Sequence, residues 1–210
     1  MRSTTLAAAA ALATLLAGHA SAAQLLFDDF NAAAQGLNSP GDAVFTSTSA
    51  PGSVDIIGAG FFDLQPGNGN YVDLDGSSGD GHSTAGELTS VATFGPGSYT
   101  LTFDLAGNLR GAAAQTTTVS LGSFSQAFSP DANAAFALQT VHFTTTTGGA
   151  LIFTEGGPSD QQGNLLDNVI LSSDAVVVPE PASWALMLIG FGGVGALLRT
   201  RRRRAGRVPA

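Results

Sequence analysis

Apolar and polar side chains alternate along residues 98–106, where Tyr99, Leu101 and Phe103 are separated by threonines. A period of two is typical of a strand with one face in a protein core and the other in water. Similar short runs, separated by turns rich in glycine, serine, asparagine and aspartate, predict further strands. They cover residues 25–27, 54–57, 61–64, 71–74, 87–94, 116–121, 124–128, 139–146, 151–154 and 165–171. Because no long helical period interrupts them, the sequence predicts an all-β fold, a two-sheet β-sandwich of the jelly-roll type over residues 24–172.

The beginning of the chain follows a different pattern. Arg2 is followed by an alanine- and leucine-rich run over residues 6–16, and then by Ala20 and Ala22, two small residues one position apart. A basic start, a short apolar run and a pair of small residues form the pattern of a secretory leader. We therefore predict a signal peptide over residues 1–22.

A longer apolar run, residues 182–198, lies near the end of the chain. As a helix it would be about 25 Å long, slightly less than a hydrocarbon core, and flanking arginine side chains can reach the interface. The sequence thus predicts a single C-terminal transmembrane helix. The positive-inside rule places the basic end in the cytoplasm and everything upstream outside. The arginines of this predicted membrane stop are Arg199, Arg201, Arg202, Arg203 and Arg204.

Pro179, Glu180 and Pro181 stand directly before this apolar run. The order of motif, apolar run and arginine cluster over residues 179–204 resembles the tripartite tail of the PEP-CTERM proteins of Gram-negative bacteria. The resemblance implies recognition by exosortase, a membrane-embedded transpeptidase-like enzyme that processes its substrates near the motif. Residues 173–178 would be an extended linker. An ordinary C-terminal anchor is the alternative, since an apolar span followed by arginines satisfies the same topology rules.

The resemblance also predicts a location and a partner. A protein with this tail is exported, passes through an inner-membrane intermediate, and ends at the cell surface or in the extracellular matrix. There the family is associated with exopolysaccharide or biofilm. These expectations agree with the predicted signal peptide, which also directs the chain out of the cytoplasm.

Charge and composition exclude several functions. Between leader and tail, residues 24–178 carry Arg110 as their one arginine or lysine against fifteen acidic side chains, a formal charge of −14. Such a surface repels nucleic acid, which we exclude as a partner, and it attracts cations such as calcium.

The chain has no cysteine, so thiolate nucleophiles and thiolate metal sites are excluded. Since no hydrolase, zinc-protease or phosphate-loop motif is present, we predict a protein that is not an enzyme. A pair of carboxylates for glycoside hydrolysis, which has no fixed spacing in sequence, is the alternative left open.

Segments 69–76, 97–104 and 166–171 are similar to galactose-binding-like jelly rolls, a group that includes carbohydrate-binding modules. In these modules an acidic residue near the N-terminus and an aspartate on the closing strand often share a structural calcium ion. The resemblance implies that Asp28 or Asp29 would share such an ion with Asp167.

The alternation of side chains along the last predicted strand also concerns Asp167. Asp167 is separated by even intervals from Leu165, Val169 and Leu171. If that row faces the core, the carboxylate is carried inward and needs a partner. An aspartate that caps backbone N–H groups in a loop is the alternative.

A second acidic cluster comprises Asp73, Asp75 and Asp80, among glycines that permit tight curvature. Oxygen ligands at alternating positions could bind calcium, although the spacing differs from that of an EF-hand loop. A solvated acidic loop is the alternative. The sequence as a whole predicts an exported, non-catalytic surface or matrix protein, with a calcium-dependent carbohydrate-binding module as the alternative function.

Overall fold

The computed structural model describes residues 22–47, 53–77, 86–157 and 160–174, together with positions 187, 189–193, 195 and 199 of the tail. Ala22–Asp174 is one compact unit. Its described strands are β1 (Ala23–Asp28), β2 (Gly36–Ser39), β3 (Phe45–Ser47), β4 (Val54–Gly58), β5 (Asn70–Asp73), β6 (Glu87–Phe94), β7 (Gly97–Ala106), β8 (Thr116–Leu121), β9 (Phe124–Phe128), β10 (Ala137–Thr145), β11 (Gly149–Gly156) and β12 (Leu165–Ser173).

These strands form two antiparallel sheets. The first sheet has the order β10-β7-β12-β5-β4-β2, and β1 also pairs with β12, beyond the point where β5 ends. The second sheet has the order β3-β6-β11-β8-β9. The prediction of an all-β fold with two packed sheets is confirmed in this form.

The core between the sheets follows from the alternation in the sequence. In β7 the side chains of Tyr99, Leu101 and Phe103 are buried, while the threonines between them are partly exposed. Phe103 of the first sheet packs edge-on against Phe153 of the second, with 5.3 Å between ring centroids. Phe153 in turn contacts Phe45 at 6.1 Å. Burying one such side chain contributes roughly 1.5–3 kcal/mol, so each of these rings contributes to the packing of the two sheets.

A smaller apolar cluster covers the opposite face of the first sheet. Ile57, Tyr71, Ala106 and Leu165 are buried there. The Tyr71 hydroxyl accepts hydrogen bonds from the Leu64 N–H at 2.5 Å and the Gln65 N–H at 2.8 Å. The segment after β4 is thereby fastened across this face. Residues 61–64, predicted as a strand, instead form part of this covering segment, in which Phe61 and Leu64 pack on the apolar cluster while Phe62 faces solvent.

Strand β12 contains an irregularity that changes one expectation. Its register against β7 shifts between Asp167 and Ile170, and Asn168 has a positive φ of 51°. Leu166 and Val169 both reach the core between the sheets, so the alternation slips by one residue at Asn168. Asp167 pairs with Asp104, on the face turned away from that core. The expectation that Asp167 shares a face with Val169 was wrong for this reason.

The predicted ends of the chain lie mostly outside the described residues. These include residues 1–21 of the predicted signal peptide, the motif Pro179, Glu180 and Pro181, and the arginines from Arg201 to Arg204. Arg199 is helical and exposed. Among the residues that are described, no helix has the length and apolar character needed to cross a membrane. The predicted transmembrane helix over residues 182–198 falls largely on undescribed positions and stays a prediction.

Candidate functional site

A cleft of about 420 Å³ opens on the face of the first sheet that points away from the second. Strands β4 and β5 provide its floor. Asp55 and Asp73 are cross-strand partners, and Ile57 follows on the same face of β4, because alternate residues of a strand share a face. The cleft is lined by Leu37, Asp55, Ile57, Phe62, Asp73, Ser77, Arg110 and Gln161.

Two apolar side chains form part of the cleft wall and face solvent. Phe62 is 64% exposed and Leu37 is 46% exposed. Phe62 has a φ of 50°, a conformation that is costly for an aromatic residue. Its ring meets that of Phe61 edge-on at 4.9 Å, and Phe61 packs on the apolar cluster beneath. The fold therefore holds an aromatic ring in water at the cleft, at a cost in backbone strain.

The Arg110 guanidinium forms an ion pair with Asp73, with 2.6 Å between Nη2 and Oδ2. Asp73 is buried, and its Oδ1 accepts hydrogen bonds from the Gly163 N–H at 2.9 Å and the Asp75 N–H at 3.2 Å. Burial nevertheless raises the pKa of Asp73 to about 7, against the lowering effect of Arg110. Arg110 thus keeps part of its side chain exposed in the cleft while it neutralises a buried carboxylate.

Asp55, the other carboxylate of the cleft floor, is also fully engaged. Its Oδ1 accepts from the N–H groups of Asn38 at 2.7 Å and Ser77 at 3.0 Å. Its Oδ2 accepts from the Ser77 hydroxyl at 2.8 Å. These contacts join β2 and the segment after β5 to β4. Both acidic groups of the floor therefore have structural partners that occupy their oxygens.

The Asp75 side chain has partners other than those of Asp73. Its Oδ2 accepts hydrogen bonds from three successive N–H groups, those of Asp160, Gln161 and Gln162, at 3.0, 2.8 and 3.3 Å. Its Oδ1 is buried without a hydrogen-bond partner. Burial raises the pKa of Asp75. Asp73 and Asp75, predicted to bind one ion together, thus have different surroundings, and Asp80 lies outside the described residues.

Sequence reasoning missed a polar cluster buried beside Asp75. Glu155 Oε2 accepts from the Thr117 hydroxyl at 2.8 Å, and that hydroxyl accepts from the Asn164 amide at 3.0 Å. Burial raises the pKa of Glu155 to about 7. A signal was present, because Glu155 continues the core-facing row of Phe153 in β11. A carboxylate in such a row needs a partner.

The residues predicted to share a calcium ion, Asp28 or Asp29 with Asp167, belong to the neighbouring strands β1 and β12 or to the residue that follows β1. Asp28 Oδ1 accepts from the Phe30 N–H at 2.9 Å, and its Oδ2 is buried without a hydrogen-bond partner. Burial, followed by the nearby Asp42 carboxylate, raises the pKa of Asp28 to about 7. Asp29 is half-buried, and its Oδ1 accepts from the Asn31 N–H at 3.2 Å.

Asp167 is 2% exposed, and its Oδ1 accepts from the Asn168 N–H at 2.7 Å. Its pKa is raised to about 7 by burial and then by the charges of Asp104 and Asp29. Asp29, of the two predicted partners, is therefore the one whose charge acts on Asp167. Within the described part of the chain, no three aspartate, glutamate or histidine side chains form a group that could hold a metal ion.

The comparisons with known proteins concern the tail and the fold separately. Residues 177–203 match the PEP-CTERM protein-sorting motif, so the predicted recognition of the tail is confirmed. No curated protein matches the chain.

Three solved structures are similar to the β domain. The K3 cleaved adhesin domain of Lys-gingipain from Porphyromonas gingivalis has a TM-score of 0.50 at 17% identity, covering 73% of this chain and 100% of that chain. The CBM22-1 and GH10 modules of Clostridium thermocellum xylanase 10B give 0.44 at 12% identity, over 75% of this chain and 30% of that one. The CBM22-1 xylan-binding domain of Paenibacillus barcinonensis Xyn10C gives 0.42 at 11% identity, over 76% and 100%. The likeness to the adhesin domain extends to the fold alone, and the chain as a whole carries a β-sandwich followed by a PEP-CTERM sorting motif.

Proposed function

We propose that this protein is a non-catalytic component of the bacterial surface or extracellular matrix, sorted through its tail by an exosortase-type system. The observation that carries the proposal is the sorting motif at residues 177–203, directly after a compact β domain. The signal peptide, the transmembrane helix and the membrane intermediate belong to the same proposal, because such a tail is useful only to a chain that has been exported.

The cleft supports a role in binding saccharide, which in this setting is the exopolysaccharide of the producing cell. Ligand sites combine an apolar wall with a few fixed polar groups. Phe62 offers an exposed ring for contact with the apolar face of a sugar, and Arg110 offers hydrogen-bond donors held in place by Asp73. The strained φ of Phe62 favours the same interpretation, since strain of this kind is concentrated at functional positions.

The surroundings of Asp55 and Asp73 support a function without catalysis. Glycoside hydrolysis needs two carboxyl groups facing the substrate, one of them able to donate a proton. Here Asp73 forms an ion pair with Arg110, and both oxygens of Asp55 accept hydrogen bonds from the protein. Carboxylates committed in this way serve better as supports of the cleft than as acid and base.

Sorting is tested by intact-mass analysis of surface material from a strain with an active exosortase. We expect a C-terminus near Pro179 for the natural chain, and an unprocessed chain when Pro179, Glu180 and Pro181 are all changed to alanine. Pro209→Ala, in the tail but outside the matched motif, is the control and should be processed normally. Natural chains that reach the surface still carrying Arg204 would contradict sorting.

Saccharide binding is tested by co-sedimentation of residues 22–174 with the producer's exopolysaccharide, since this compact unit contains its own core. We expect retention of the natural domain and its loss in Phe62→Gly. Leu138→Ser is the matched control, because Leu138 is 67% exposed but lies in β10, at the other edge of the sheet. Equal retention of Phe62→Gly and the natural domain would exclude the cleft as the binding site.

A calcium-dependent carbohydrate-binding module is the second candidate. It is favoured by the buried Asp28 Oδ2, which has no hydrogen-bond partner, and by the position of Asp29 near Asp167. Repeating the co-sedimentation with EDTA distinguishes the two candidates. Retention that disappears with EDTA and with Asp167→Asn would support the module, and retention unchanged by EDTA would support the calcium-independent cleft.

A further inference from the structure

Four buried side-chain oxygens without a hydrogen-bond partner belong to residues of one polar cluster. They are Asp75 Oδ1, Gln115 Oε1, Glu155 Oε1 and Asn164 Oδ1. None of these four residues is more than 3% exposed. A buried polar atom without a partner costs on the order of 1–3 kcal/mol, so four together require a physical explanation.

Hydrogen bonds connect the four residues in pairs. The Thr117 hydroxyl joins Glu155 to Asn164, by donating to the first and accepting from the second. The segment 160–162 joins the other two, because Asp75 accepts from its N–H groups and the Gln115 amide donates to the Gln162 carbonyl at 2.8 Å.

The two pairs also lie close to each other. The Leu74 N–H, next to Asp75 in the chain, donates to the Asn164 carbonyl at 3.0 Å, and Gly86 bridges the Leu74 carbonyl and the Glu155 N–H with two hydrogen bonds of 2.9 Å. Gln115 and Thr117 are two positions apart, so they present their side chains on the same side of the chain as it enters β8. The four residues therefore belong to a single buried region.

The orientation of both amides is fixed by their donors. Gln115 Nε2 donates to Asp160 Oδ1 at 3.1 Å and to the Gln162 carbonyl, and Asn164 Nδ2 donates to Thr117. Turning either amide around would bring an oxygen against these acceptors. The cluster thus presents two carboxylate and two amide oxygens, all of them acceptors.

We propose that Asp75, Gln115, Glu155 and Asn164 bind a calcium ion. A water molecule in this position could donate hydrogen bonds to only two of the four oxygens, whereas a cation can coordinate all of them. Calcium takes carboxylate and amide oxygens in flexible geometry, while magnesium requires near-octahedral geometry and retains several waters. The two carboxylates also match the ion's charge of two.

This site differs from every calcium site predicted from the sequence. It uses Asp75 without Asp73, whose oxygens already bind Arg110 and two N–H groups. It shares no residue with the predicted group of Asp28, Asp29 and Asp167. The inference does not rest on saccharide binding, since calcium alone is the ligand.

The test is calcium titration of residues 22–174, first freed of metal with a chelator, by calorimetry and by thermal melting. We expect saturable binding and a rise in the melting temperature. Glu155→Gln and Asp75→Asn should each weaken calcium binding at least tenfold. The amide introduced by Asp75→Asn would still offer an oxygen to the N–H groups of residues 160–162, and each substitution removes a buried charge, so both variants should fold.

Two controls locate the effect. Asp131→Asn removes an exposed carboxylate outside the cluster and should leave the affinity unchanged. Asp167→Asn should leave at least one calcium equivalent bound with the natural affinity. The proposal is overturned if the natural domain binds no calcium, if a folded Glu155→Gln variant keeps the natural affinity, or if all binding is lost in Asp167→Asn and kept in Glu155→Gln.

Discussion

Arg110 and Asp73 form an ion pair of 2.6 Å that links the segment after β7 to strand β5 beneath the cleft. Arg110 is also tied to its own segment, since its Nε donates to the Asn108 carbonyl at 3.1 Å. The β domain has fifteen acidic residues, and Arg110 is its one arginine or lysine. This contact therefore contributes to both the stability of the fold and the shape of the cleft.

Removing the arginine should be costly. Arg110→Met leaves the Asp73 carboxylate buried without its cation, a change that typically costs about 3–5 kcal/mol. Urea unfolding of residues 22–174 measures the loss. The double variant Arg110→Met with Asp73→Asn should recover much of it, because no buried charge remains. A loss below about 1 kcal/mol in the single variant would contradict this expectation.

The irregularity at Asn168 gives a matched pair of substitutions. Asn168→Ala and Asn168→Gly both remove the hydrogen bond from Nδ2 to Asp104 Oδ2 at 3.0 Å. Only alanine retains a Cβ, which is unfavourable at a φ of 51°. The alanine variant should therefore be less stable than the glycine variant by about 1–2 kcal/mol. Equal unfolding free energies would mean that the backbone relaxes at this position.

Removal of the Phe62 ring should abolish saccharide binding with little change in the free energy of unfolding. Phe62→Gly relieves the positive φ of Phe62, so we expect stability within about 1 kcal/mol of the natural domain or slightly above it. By contrast, Phe103→Ala removes a fully buried ring and should cost about 3–5 kcal/mol. Urea unfolding compares the two. A large loss in Phe62→Gly would indicate that the ring is part of the packing.

The stability of the metal-free domain should depend on pH in an unusual direction. The pKa values of Asp28, Asp73, Glu155 and Asp167 are each raised to about 7 by burial. In the unfolded chain these groups lose their protons near pH 4. Between about pH 4 and pH 7 the folded state therefore holds more protons, and the free energy of unfolding falls as the pH rises.

Melting temperatures measured in EDTA at steps from pH 4.5 to pH 7.5 test this expectation. Asp28→Asn should reduce the slope, because it removes one of the four groups. Calcium should reduce it as well, wherever it stabilises the ionised carboxylates. Stability that rises over this range in EDTA would contradict the raised pKa values.

The strands that the sequence predicts correctly are those whose burial alternates. In β7 and β8 a strict period of two marks the inward face, and the structure follows it. Strands β2 and β3 were missed because they are short and largely polar, and because pairing with β4 and β6 supports them more than their own composition does. Tertiary pairing of this kind leaves no local signal.

The candidate sites were harder to predict because they depend on single departures from regularity. The bulge at Asn168 turns Asp167 to the other face of the sheet. No pattern in the preceding sequence predicts this change of register. Arg110 and Asp73 are brought together from separate segments. Glu155 could have been found, since its position in the alternation of β11 places a carboxylate inward.

The pairing of β1 with β12 brings Ala23 opposite Ser173, so the first strand of the domain is held by the last. Strand β12 also lies between β7 and β5 in the first sheet. In a chain exported N-terminus first, β1, β5 and β7 emerge before β12, the strand with which all three pair. These strands therefore lack their partner until residues 165–173 have emerged. The sorting motif begins at residue 177, only a few residues later. Completion of the fold and arrival of the motif at the membrane therefore become nearly simultaneous events, and a chain shortened before residue 165 loses both together.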